Sequence, residues 1–80
     1  MSEVKEITPG KYRHYKGNEY EVFDVATHSE DDSIYVVYRP LYGDRALWIR
    51  PFEMFIQSVD VDGKSVPRFE YLGEMPEDEL

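Results

Sequence analysis

The first group of side chains that could do chemistry lies near the start of the chain, in the segment Lys11–Lys16, where bases and aromatics alternate. On a β-strand Tyr12 and His14 share one face, and Arg13 and Tyr15 share the other. Such a stretch can stack on nucleobases and pair with phosphates. The simpler interpretation, which we favour, is that a tyrosine joins the core and the bases form a solvated rim.

A second group lies between residues 38 and 50 and is made of the residue types that carry most binding energy at interfaces. The predicted hairpin around residues 42–44 brings these residues together. Because an unpaired arginine is costly to bury, Arg39 and Arg50 should reach solvent or pair with carboxylates such as Glu53. In the alternative interpretation, Trp48 anchors the core and Arg50 pairs internally with Glu53 or Asp44. We predict a partly exposed aromatic and basic binding patch formed by Tyr38, Arg39, Tyr42, Trp48 and Arg50, joined by Arg13 and His14.

The sequence contains no catalytic or metal-binding motif. A zinc site needs three or four converging donors, and the four possible ligands have no such spacing: His14, His28, Glu30 and Glu53. The absence of cysteine excludes thiol nucleophiles, disulfides and thiolate metal sites. The serines lack a nucleophile motif, and the isolated glycines make no phosphate loop. We therefore expect no enzyme activity, no cofactor and no metal.

Turn-forming residues recur at intervals of about 8–12 residues, which is typical of all-β domains. Glu19–His28 is apolar on both faces, so we expect a bulge in this strand. Asp62-Gly63 predicts a type I′ hairpin, and Pro51–Phe55 predicts one helical or 3₁₀ turn that plugs the core. The predicted strands are Tyr12–Tyr15, Glu19–His28, Ser33–Pro40, Ala46–Arg50, Ile56–Asp62 and Lys64–Tyr71.

These elements predict one all-β domain, a small SH3-like barrel of five to six short strands, because exposed edges would invite aggregation. We place an N-terminal arm at residues 1–8, the domain at 9–72 and an acidic, flexible tail at 73–80. The predicted core combines the apolar members of the strands with the plug: Tyr20, Val22, Val25, Ile34, Val36, Leu47, Ile49, Phe52, Phe55, Val59, Val61 and Phe69.

The net charge of −8 is concentrated at one end of the 80-residue chain. Residues 69–80 carry five acids and no base, whereas residues 11–68 carry ten acids and eight bases. Without a clearly basic face, a protein or peptide is the favoured partner, and nucleic acid or a nucleotide is the alternative. No apolar run reaches the roughly 18 residues of a membrane span, so we expect no membrane association and a cytoplasmic location.

Several blocks of the sequence resemble a known family: Pro9–Gly17, His28-Ser29-Glu30, Val36-Val37-Tyr38, Leu41-Tyr42-Gly43, Leu47–Pro51 and Val66–Phe69. The chain resembles, over roughly residues 8–72, the small bacterial domain-of-unknown-function family sixteen fifty-three. The resemblance implies an SH3-type barrel, in agreement with the spacing of the turns. It implies no reaction, cofactor or ligand.

Overall fold

The computed structural model describes residues 5–76, which form seven strands and one short helix. The all-β prediction is confirmed, although one more strand forms than the five to six expected. The elements are β1 (Gly10–His14), β2 (Glu19–Thr27), β3 (Ile34–Pro40), β4 (Trp48–Pro51), α1 (Phe52–Phe55), β5 (Ser58–Val61), β6 (Lys64–Pro67) and β7 (Phe69–Gly73).

Five strands form an antiparallel sheet in the order β4-β3-β2-β1-β7. The register between β2 and β3 shifts between Val22 and Asp24, so Phe23 lies at the bulge predicted from the two-sided apolar pattern of this strand. The bulge changes which side of β2 faces the core: Val22 is 1% exposed before it, and Val25, three residues further on, also packs against the core.

β5 and β6 form a separate two-stranded hairpin. Asp62 and Gly63 connect them with φ values of 52° and 82°, the doubly positive backbone of the predicted type I′ turn. The extra strand arises because the predicted segment Lys64–Tyr71 is divided at Arg68. The N–H of Arg68 donates to the Gln57 carbonyl, and its own carbonyl accepts from the Tyr15 N–H. The chain therefore leaves the hairpin and joins the five-stranded sheet at this residue.

The predicted helical turn is confirmed as α1, which directs both of its buried side chains, Phe52 and Phe55, into the core. Phe55 is 1% exposed and stacks on Phe69 with ring centroids 4.0 Å apart. The two rings cover one face of the five-stranded sheet. The buried cluster is largely aromatic and consists of Tyr12, Tyr20, Val22, Val36, Tyr38, Phe52, Phe55 and Phe69.

The core prediction was wrong for Leu47, Ile49 and Val61, which are 66%, 60% and 36% exposed. β4 is an edge strand, and its register places Trp48 opposite the buried Tyr38 and Arg50 opposite the buried Val36. Ile49 lies on the other face because side chains alternate along a strand. The core instead recruits Tyr12 and Tyr38, which the predicted core did not include.

β4 and β7 are the two edges of the main sheet, and in the part of the chain that the structure describes no ladder joins them into a closed barrel. The part of the N-terminal arm that is described packs on the domain: Ile7 contacts the core, Lys5 pairs with Glu53, and the Tyr12 hydroxyl donates to the Thr8 carbonyl. Residues 1–4 of the predicted arm and 77–80 of the predicted tail lie outside the described residues. Between residues 5 and 76, no helix is long and apolar enough to cross a bilayer.

Gly10→Ala is expected to destabilise the sheet by about 1–3 kcal/mol, because it adds a side chain at strained backbone. Gly10 has a φ of 144°, and a Cβ there would lie 2.5 Å from the Gly73 carbonyl oxygen. Gly17→Ala is the control, since its φ is also positive, at 112°, but no atom lies within 4 Å of its Cβ position. Thermal unfolding should show a larger loss for Gly10→Ala, and equal losses would contradict the predicted clash with β7.

Candidate functional site

The structure divides the seven predicted binding residues between the two faces of the main sheet. The alternation of side chains places four on the face that also carries the core and two on the opposite face, while the seventh lies in a turn. The core side, with the turn after β3, holds His14, Tyr38, Tyr42, Trp48 and Arg50. The opposite face holds Arg13 and Arg39.

Tyr38 is in the core rather than on a binding surface, which corrects its predicted role. It is 2% exposed, and its ring contacts Tyr20, Trp48 and Phe55. The core extends here because Phe55 packs directly on the Tyr38 ring, with centroids 5.3 Å apart. Tyr38 can support neighbouring surface residues but cannot contact a partner itself.

Trp48 and Tyr42 are the exposed aromatics beside this part of the core, with exposed fractions of 42% and 46%. Both rings pack against Tyr20, at centroid distances of 6.1 and 6.0 Å. The Tyr20 and Tyr42 hydroxyls lie 3.3 Å apart, and burial together with this hydrogen bond raises the pKa of Tyr20 to about 12. Trp48 therefore has a fixed support beneath it and a free outer surface.

Arg50 lies next to Trp48 along the edge of the sheet. Its Nε donates to the Tyr38 hydroxyl at 3.2 Å, and its guanidinium lies 5.5 Å from the centre of the Phe69 ring. The predicted alternative of an internal ion pair with Glu53 or Asp44 is not found between these described residues, and Glu53 instead pairs with Lys5. Two neutral groups thus hold Arg50 in place and leave its charge unneutralised within residues 5–76.

His14 packs edge-on against the same phenyl ring, with the centroids of His14 and Phe69 4.9 Å apart. Its Nδ1 accepts the backbone N–H of Lys16 at 3.1 Å, so in the neutral ring the proton is on Nε2, which can donate to a ligand. Burial lowers the pKa of His14, and the charges of Arg50, Arg68 and Lys16 lower it further. His14 and Arg50 thus contact the same Phe69 ring, and the nearby positive charges disfavour the protonated imidazole.

Arg68 was not among the predicted site residues. Its Nη2 donates to the Gln57 side-chain oxygen at 3.1 Å, while its buried Nε has no hydrogen-bond partner among the residues that the structure describes. The sequence offered no local signal for it, since Arg68 comes beside β1 only through the change of sheet between β6 and β7, where its carbonyl accepts from the Tyr15 N–H. We refer to His14, Trp48, Arg50 and Arg68 as the cationic-aromatic patch.

The opposite face of the sheet has a different electrostatic character. Arg39 donates through Nε and Nη2 to one oxygen of Glu21, at 2.9 and 2.8 Å, and lies over the Phe23 ring. Arg13 pairs with Glu70 at 3.0 Å. Both arginines are neutralised by carboxylates. Arg50, in contrast, has no carboxylate partner within residues 5–76.

The described residues contain no cluster of three or more potential metal ligands. A recess of about 160 Å³ lies beside Trp48 and is lined by Pro40, Tyr42 and the turn that follows. Larger recesses of about 590 and 500 Å³ lie elsewhere, along residues 5–9 and against the outer side of β2. None of these three recesses is lined by Arg50 or Arg68.

Comparison with known proteins assigns the chain to a family. No curated protein matches it. The model of the family described as Protein of unknown function (DUF1653) matches residues 10–71. A crystal structure of a DUF1653 protein from Bordetella bronchiseptica is similar, with a TM-score of 0.77 and 36% sequence identity over 85% of this chain and 90% of that one. The resemblance noted in the sequence is thus confirmed, and this chain belongs to the DUF1653 family.

Proposed function

We propose that this protein is a binding module that holds a carboxylate-bearing segment of a peptide or another protein on the cationic-aromatic patch. One observation carries the proposal: Arg50 and His14 pack on the same Phe69 ring, Arg68 directly precedes Phe69, and within residues 5–76 neither guanidinium has a carboxylate partner. In the same range Lys5, Lys11, Arg13 and Arg39 each pair with a glutamate.

A carboxylate is the chemical group that best satisfies this arrangement. Arginine gives charge-assisted hydrogen bonds to carboxylate oxygens, and these are roughly twice as strong as hydrogen bonds between neutral groups. The His14 Nε2 adds a third donor. Trp48, 42% exposed beside Arg50, offers an apolar surface to another side chain of the same segment. Specificity for a peptide then comes from one charged and one apolar contact.

The charge of the whole chain favours a ligand with few negative charges. The patch attracts an anion at short range, but the net charge of −8 repels a polyanion. Screening in physiological salt limits the attraction to about 8 Å, and a nucleic acid backbone would place many phosphates beyond the patch near acidic surface. We therefore favour a peptide over the nucleic-acid alternative.

The proposal is tested with the blocked peptide acetyl-Thr-Glu-Val-Tyr-Thr-amide and its counterpart with glutamine in place of glutamate. The glutamate peptide should bind more tightly, and Arg50→Gln should abolish the difference between the two, because the contact that distinguishes them is lost. Arg13→Gln is the matched control, since it removes the same charge from the opposite face. Equal binding of both peptides to the wild-type protein in an NMR titration would contradict the proposal.

The His14 ring provides a second readout of the same site. A carboxylate bound beside it favours the protonated imidazole, so the glutamate peptide should raise the pKa of His14 from its lowered value. By linkage, affinity should increase as the pH falls through the pKa of His14 in the complex. The ring resonances of His28, which lies in the turn before β3, serve as the internal reference. A His14 titration curve that the peptide leaves unchanged would place the ligand elsewhere.

A further inference from the structure

β4 is the edge of the main sheet that borders the cationic-aromatic patch. In the described part of the chain, β3 is the one strand that pairs with it. Within β4, Ile49 is 60% exposed, and Leu47, the residue before the strand, is 66% exposed. A strand edge with exposed apolar side chains is a template for pairing with another extended segment.

The hydrogen-bond pattern shows which main-chain groups are available at this edge. The Leu41 N–H donates to the Glu19 carbonyl, so every second residue back along β3 points its main-chain groups toward β2. Val36 and Tyr38 lie between these positions and point toward β4, where their partners are Arg50 and Trp48. Ile49 therefore directs its N–H and carbonyl away from β3, toward the open edge.

The side chains of β4 would give an added strand a defined pattern of contacts. Trp48 and Arg50 are on the core-side face, and Ile49 is on the opposite face, next to Val37. A residue placed opposite Arg50 thus shares the face of the patch. A residue placed opposite Ile49 meets an apolar surface.

We propose that β4 receives the peptide as an added antiparallel strand, with a carboxylate opposite Arg50, an apolar residue opposite Ile49 and an aromatic residue opposite Trp48. This inference rests on the proposed function and adds the mode of binding. Main-chain pairing with Ile49 supplies affinity and register, and Arg50 selects the acidic residue. The antiparallel direction continues that of every described pair in the sheet.

Charge complementarity favours an acidic peptide over a second copy of the chain at this edge. In an antiparallel pair of two β4 strands centred on Ile49, each Arg50 faces a tryptophan of the other copy. The strand Trp48–Pro51 contains no carboxylate, so such a dimer leaves both arginines unneutralised at the interface. A glutamate in the peptide neutralises Arg50 directly.

Ile49→Pro tests the mode of binding, because it removes the outward N–H that the peptide needs. The substitution leaves the β3–β4 hydrogen bonds in place, since proline is tolerated on an edge strand where its nitrogen faces solvent. We expect it to weaken binding of the acetyl-Thr-Glu-Val-Tyr-Thr-amide peptide by about tenfold, the equivalent of one hydrogen bond. Ile49→Thr loses the same apolar side chain but keeps the N–H, so it should bind more tightly than Ile49→Pro.

Circular dichroism of both variants shows whether the fold is retained, and wild-type protein labelled with ¹⁵N gives a readout that needs no substitution. In it the Ile49 amide should become protected from hydrogen exchange when the peptide binds. Strand addition is wrong if the amide stays unprotected or if Ile49→Pro binds as tightly as Ile49→Thr. In that case the proposed function still stands, provided that Arg50→Gln abolishes the preference for the glutamate peptide. A doubled mass in analytical ultracentrifugation without peptide, with Ile49 protected, would assign the edge to a second copy and overturn the inference.

Discussion

Phe55→Ala is expected to remove most of the stability of the domain and to lower its melting temperature steeply. Phe55 is 1% exposed, stacks on Phe69 and makes edge contacts with Tyr12 and Tyr38. Truncating a buried phenylalanine costs about 3–5 kcal/mol, and small domains have total stabilities of about 5 kcal/mol or little more. Because Phe69 also supports His14 and Arg50, the loss extends from the core to the cationic-aromatic patch.

Met54→Ala is the control for this prediction, since Met54 belongs to the same helical turn and is 45% exposed. It should unfold within a few degrees of the wild-type melting temperature, as surface substitutions usually change stability by less than about 0.5 kcal/mol. A cooperative melt of Phe55→Ala close to that of Met54→Ala would show that the aromatic stack does not hold the domain together.

Arg39→Met is expected to lower the free energy of unfolding by about 3 kcal/mol, because it leaves a buried carboxylate without its cation. Glu21 is 7% exposed, and both contacts from Arg39 converge on one of its oxygens. Breaking a buried ion pair costs about 3–5 kcal/mol, and we expect the lower value here because 26% of the Arg39 side chain is exposed. Urea unfolding monitored by fluorescence measures the loss.

The double variant Glu21→Gln with Arg39→Met separates the ion pair from simple packing. Removing the unpaired charge should recover part of the stability lost in Arg39→Met alone, because a neutral amide is less costly to bury than a carboxylate. If the stability lost in the double variant equals the sum of the losses in Arg39→Met and Glu21→Gln alone, the pair contributes no coupling energy. Loss of stability without loss of peptide binding at the patch would also confirm that Arg39 acts structurally on the opposite face.

Local signals were sufficient for the turns and for the short helix. Asp62-Gly63 forms the expected hairpin because aspartate and glycine tolerate the two positive φ angles that its turn needs. Pro51 precedes α1, where its restricted φ suits the start of a helix, and Phe52 with Phe55 then reach the core from one side. The bulge at Phe23 was visible as a strand that is apolar on both faces.

Which face of each strand is buried could not be read in the same way. Over β4 and the residue before it, the sequence alternates two large apolar residues, Leu47 and Ile49, with Trp48 and Arg50, and hydropathy favours burying the first pair. The structure places the second pair on the core side because β4 is registered against Tyr38 and Val36. The apolar pair is left exposed at an edge, where it becomes part of the proposed peptide site.

The residue types on their own determined that this is an all-β domain without thiol chemistry, and they predicted a binding role for arginines beside aromatic rings. Only the tertiary structure decided which arginines those are. Arg39 and Arg13 meet carboxylates from neighbouring strands, whereas Arg50 and Arg68 meet a tyrosine hydroxyl and a glutamine. Ion pairing depends on distances across strands that are far apart in the chain, and local sequence patterns carry no information about those distances.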